Sequence, residues 1–110
     1  MRLLNVYNLT FNKFDERDLP PYAIASHRWE ESETTYREVN NRHNVNSKGF
    51  LKVQRFCQLL QRRNQRVKDL DIRRVEWLWI DTCCIDKDSS ADVAESITYM
   101  YAGLHIICSF

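Results

Sequence analysis

Val75-Glu76-Trp77-Leu78-Trp79-Ile80-Asp81 is the stretch that decides the fold. Nearly every side chain in it is bulky and either β-branched or aromatic, the composition of a strand buried on both faces, as in the centre of a parallel sheet. Trp77 and Trp79 are two residues apart and share one face of that strand, which marks them as packing residues. Asp81 ends the run and Thr82-Cys83-Cys84-Ile85-Asp86-Lys87-Asp88 follows it.

Upstream, Gly49 to Lys68 has the period of a helix. Val53, Phe56, Cys57, Leu60 and Val67 fall on one stripe, with Arg55, Arg62 and Arg66 opposite. Before it, Pro20-Pro21 stops a charged loop, and Tyr22-Ala-Ile-Ala-Ser26 reads as a short buried strand ending at His27-Arg28-Trp29. Residues 1–11 alternate loosely, as a weak strand or hairpin would.

Downstream, Ser89 offers an N-cap, with Asp92 three residues on in the place of the usual capping-box Glu. Ala94, Ile97 and Tyr101 continue a helical stripe, Gly103 suits the helix end, and Leu104 to Phe110 forms a last strand. Helices alternating with apolar strands predict an α/β fold: three layers around a mostly parallel sheet. In such sheets ligands sit beyond the C-terminal ends of the strands. Those ends carry Ser26-His27-Arg28-Trp29 and Asp81-Thr82-Cys83-Cys84.

The 110 residues, 44% hydrophobic and 12% aromatic, suffice for one domain and exclude a multidomain chain. The net charge of +1 hides a basic middle. Residues 41–74 hold ten basic and two acidic side chains, and residues 75–110 hold one basic and six acidic. Two readings of this block stand: a phosphate-attracting surface, or a solvated helix face drawn to the acidic third of the same chain. The four cysteines form no C-x-x-C pair, so no metal site is expected. Buried, reduced thiols fit a cytoplasmic protein. No stretch reads as a secretory leader or a membrane span.

Two segments together resemble the fungal heterokaryon incompatibility (HET) domain family. They are Pro20-Pro-Tyr-Ala-Ile-Ala-Ser-His-Arg-Trp29 and Trp79-Ile-Asp-Thr-Cys-Cys-Ile-Asp-Lys-Asp-Ser-Ser-Ala-Asp-Val-Ala-Glu-Ser-Ile97. The spacer Lys48 to Cys57 resembles the family's first helix. The resemblance covers nearly the whole chain, read as a single, C-terminally incomplete domain over 1–110. It departs from the family pattern at Glu30, where a Gly is usual, and in the last helix, which is about two residues shorter and lacks a usual Trp.

The resemblance implies a flavodoxin-like sheet similar to that of Toll/interleukin-1 receptor (TIR) domains. It also implies a role in nonself recognition and programmed cell death, with NAD⁺ as a possible substrate and no required cofactor. By similarity to TIR enzymes, Glu95 is the candidate catalytic carboxylate, with Asp92 as its rival. By its residue type and position alone, Glu95 is a solvated glutamate near the positive end of a helix, and Asp92 a capping residue. Ser26, His27, Trp29, Asp81, Thr82 and Cys83 are the candidate nucleotide-binding residues: hydroxyl and imidazole for ribose or phosphate, indole for stacking. A structural role for them, with Trp29 in the core and Asp81 capping a turn, is the competing reading. The other functional class is a non-catalytic module that self-associates or joins other death-signalling domains, or an inactive copy. Nucleic acid is not an expected partner.

Overall fold

The computed structural model describes residues 1–66, 74–99 and 105–109. Among these residues five strands, β1 (Arg2–Asn5), β2 (Phe11–Lys13), β3 (Tyr22–Ser26), β4 (Trp77–Trp79) and β5 (His105–Ser109), form one sheet in the order β2-β1-β4-β3-β5. Three α-helices accompany it: α1 (Tyr36–Asn40), α2 (Lys48–Arg66) and α3 (Ser90–Tyr99). A 3₁₀ turn, Glu16–Asp18, lies in the charged loop. The expected Gly103 helix end, the helix stripe positions Val67 and Tyr101, the side chain of Ile97, and the outer residues of the last strand, Leu104 and Phe110, lie outside what is described.

The fold is mixed α/β, which corrects the expectation of a mostly parallel sheet. β3 pairs in parallel with both β4 and β5, but β1 runs antiparallel to β2 and to β4. The reason is local. The first thirteen residues fold into a hairpin, with Asn5 Oδ1 accepting the N–H groups of Tyr7 and Asn8 in the turn. A hairpin strand can add to a parallel core only as a mixed edge. Within the parallel core, β3 lies between β4 and β5. The chain leaves β3 to one side through α1 and α2, then crosses to the other side through α3. That reversal creates a switch point at the C-terminal end of β3.

The core forms where the periodicities meet. Leu3, Leu4, Tyr22, Ala23 and Leu78 from the strands and Ile80 just after β4 pack with Val53, Phe56, Cys57 and Leu60 from α2, all buried. Arg55, Arg62 and Arg66 face outward, as their spacing requires. Two features of α2 fix its position. Gly49 lies so close to the 32–34 loop that a Cβ there would overlap the Ser32 carbonyl oxygen and come within 2.5 Å of the Thr34 nitrogen. At the other end, buried Asn64 donates from Nδ2 to the Val75 carbonyl at 2.8 Å and to the Tyr7 hydroxyl at 2.9 Å. Its Oδ1 accepts the Val75 N–H at 3.0 Å. One amide side chain thus holds α2 against the residue that leads into β4.

α1 is a helix that hydrophobic period alone does not announce. Its signal is the pair Thr35 and Glu38, which form a reciprocal capping box in the structure. At α3, Ser89 Oγ accepts the Asp92 N–H at 3.2 Å, as the sequence predicts. The reciprocal half differs: the Asp92 carboxylate takes the Arg2 guanidinium at 2.6 Å and the Asp86 N–H instead.

Candidate functional site

The C-terminal ends of β3 and β4 open into a cleft of about 430 Å³. That volume falls in the range of small-molecule sites, roughly 300–1,000 Å³. β3 contributes Ile24, Ala25 and Ser26, and His27 follows it; Trp79 and Asp81 come from β4 and its end, Ile85 and Lys87 from the loop after it, and Ile107 from β5. The walls are thus apolar and the rim is polar, with one carboxylate, one imidazole, one hydroxyl and one ammonium.

Asp81 organises the rim. Its Oδ1 is 2.8 Å from His27 Nε2, and its Oδ2 accepts the Trp29 indole N–H at 2.8 Å. The His27 side chain is 3% exposed and that of Asp81 is 33% exposed, so the pair runs from the interior to the mouth. Behind His27, Nδ1 lies 3.7 Å from Glu33 Oε1, beyond hydrogen-bond range. Glu33 in turn accepts Lys52 Nζ at 2.6 Å, and Lys52 also donates to the Arg28 carbonyl at 2.8 Å. Trp29 is 54% exposed, which removes it from the core. The ammonium of Lys87 sits 4.0 Å from the centre of its ring. Such a cation–π contact at an exposed site is worth about 0.5–1 kcal/mol and yields readily to a better partner.

A family model described as "Heterokaryon incompatibility protein (HET)" matches residues 22–102, which include every residue lining this cleft except Ile107. The chain belongs to the HET family. A similar relative is the vegetative incompatibility protein HET-E-1 of Podospora anserina, 36% identical over 85 residues. The match takes in 76% of this chain but spans only 6% of that protein's length. No solved structure matches.

The two HET segments therefore meet in space: Ser26, His27 and Trp29 from the first, Asp81 and Lys87 from the second. Thr82 and Cys83 do not join them. Both are buried, at 5% and 0% exposure, and neither lines the cleft. Thr82 borders a smaller recess of about 110 Å³ with Tyr36, Arg37 and Asp86, its own hydroxyl buried without a partner among the described residues. Burial drives the Cys83 thiol well above its ordinary pKa, so it stays protonated. Sequence places Asp81, Thr82 and Cys83 together at a strand end, but the turn that follows sends the last two inward.

Glu95 also lies outside the cleft lining. Its Oε1 is 2.8 Å from the Met1 ammonium, so α3 is tied to the start of β1. Asp92, its rival, forms a buried ion pair with Arg2, each side chain 9% exposed. At Glu30, the family's usual glycine position, the backbone is not left-handed and its N–H donates to Glu33 Oε1 at 3.1 Å. Three charged residues escaped the sequence reading. Lys87 stands inside the quoted family motif, which was its signal. Glu33 and Lys52, nineteen positions apart, meet only because α2 packs beside the 28–33 loop, and no local pattern reports that.

Proposed function

We propose that this HET domain acts in the cytoplasm in fungal nonself recognition and programmed cell death, by binding NAD⁺ in the cleft and hydrolysing its nicotinamide–ribose bond. One observation supports the reading above the others: Asp81 stands at the cleft mouth with its carboxylate held from both sides by His27 and Trp29. A fixed carboxylate is what an oxocarbenium-like transition state at the ribose needs, because it stabilises developing positive charge without reorganising. His27 orients it, Ser26 and Lys87 suit ribose hydroxyls and phosphate, and the exposed Trp29 ring offers a stacking face. Water adds to the ribose C1, nicotinamide leaves, and ADP-ribose and a proton complete the products.

The TIR resemblance names Glu95 for the carboxylate role. We assign that role to Asp81, because Glu95 is engaged by the Met1 ammonium away from the cleft lining. Incubation with NAD⁺, with nicotinamide release followed by chromatography, tests both parts. The expected result is turnover that Asp81→Asn abolishes and Glu95→Gln retains. The opposite pattern returns the role to Glu95, and no release from the folded chain overturns the enzymatic reading.

A further inference from the structure

We infer that the outer face of α2 is a docking surface for an anionic phospholipid membrane. Between Lys48 and Arg66 the helix carries six basic residues and no acidic one. Its solvent side presents Leu51, Arg55, Gln58, Leu59, Arg62 and Arg66. Leu51 and Leu59 are 41% and 39% exposed, and they stand eight residues apart, roughly 12 Å along the axis. Arg55, Arg62 and Arg66 make no ion pair among the described residues. At the N-terminal end, Glu30, Lys48, Leu51, Lys52 and Arg55 border an open recess of about 380 Å³. Lys52 is engaged by Glu33, which leaves Lys48 and Arg55 to meet an incoming anion there.

The choice of partner follows from what the face lacks and from what the rest of the chain has already used. Unspecific nucleic-acid surfaces interleave cations with aromatic rings for base stacking, and this face has leucines in their place. A second copy of the chain offers no matching acidic face. Its exposed, unpaired carboxylates among the described residues, such as Asp18, Glu30, Glu31 and Glu76, are spread over two loops and the approach to β4. The acidic side chains of the last third are mostly engaged. Asp81 is bound by His27 and Trp29, Asp88 by Arg37, Asp92 by Arg2 and Glu95 by the Met1 ammonium. A bilayer rich in phosphatidylserine supplies both complements at one plane: phosphates and carboxylates for the arginines, and the acyl boundary for the leucines.

Co-sedimentation of the full chain with phosphatidylcholine vesicles, with and without phosphatidylserine, tests this. Binding is expected only to the anionic vesicles and is expected to fall steeply with added salt. Replacing Arg55, Arg62 and Arg66 together with Gln should weaken it roughly a hundredfold, from the contribution of each basic residue near a charged bilayer. Replacing all three with Lys should keep most of it. A helical circular dichroism spectrum and an unchanged melting temperature certify that each variant is folded. The inference is overturned by equal binding to neutral vesicles or by full binding of the Gln variant. It is also overturned by tighter binding to single-stranded DNA than to vesicles, or by concentration-dependent dimerisation that the Gln variant loses.

Discussion

Asp81 shows how much a single residue decides. An aspartate at a strand end commonly caps the next turn, but this one accepts from an imidazole and an indole that arrive from β3's far end, more than fifty residues earlier in sequence. Replacing it with Ala should free the Trp29 indole, which is the exposed one of the tryptophans at 29, 77 and 79. The expected readout is a shift in tryptophan emission and loss of any NAD⁺-induced change, with the fold retained. Cys83 makes the opposite point. Its buried, protonated thiol should resist alkylation in the native chain up to mildly alkaline pH and react fully once urea unfolds it. Rapid labelling of Cys83 under native conditions, located by mass spectrometry, would contradict its burial.

The helices are held by polar side chains as much as by their apolar stripes. Asn64 satisfies both the N–H and the carbonyl of Val75. Asn64→Ala leaves two buried backbone groups without partners, and a loss of about 2–4 kcal/mol is expected in urea unfolding. α1 depends on its capping box, and there the Asn44 amide and the Thr35 groups hold the Glu38 carboxyl below its ordinary pKa. A carboxylate with a depressed folded pKa adds stability that is full above its unfolded pKa and lost as pH falls through the folded one. The acid limb of the stability curve should therefore become shallower in Glu38→Gln, as thermal melts between neutral and acid pH can measure.

Across the whole molecule, charge ties the two ends together. Among the described residues, the ion pairs of the acidic last third are made with residues 1–40. Arg2 and Lys13 meet Asp92, the Met1 ammonium meets Glu95, and Arg37 meets Asp88. Arg55, Arg62 and Arg66 of the basic middle are left facing solvent. Arg2→Ala would leave the buried Asp92 carboxylate only the more distant Lys13 ammonium and the Asp86 N–H, and removing one partner of a buried pair costs about 3–5 kcal/mol. The expected outcome is a large fall in melting temperature. Double replacement of Arg2 and Asp92 by Leu should recover much of it, since the second change removes the uncompensated charge.

The sequence by itself determined the family, through two segments whose residue order is specific. It also determined the positions of β3, α2, β4 and the start of α3, because hydrophobic period and capping chemistry are local properties that short stretches carry. Even the cleft residues Ser26, His27 and Asp81, with Trp29 bonded to Asp81 beside them, were legible, since a parallel pair of strands must bring its C-terminal ends together. Only the tertiary structure decided the rest. The antiparallel placement of β1 depends on which strand edge the hairpin meets. The inward turn of Thr82 and Cys83, the capture of Glu95 and Asp92 by residues about ninety positions away, and the Glu33–Lys52 pair depend on packing between distant elements. Residue spacing along the chain does not encode those distances; they exist once α2 and α3 have settled against the sheet.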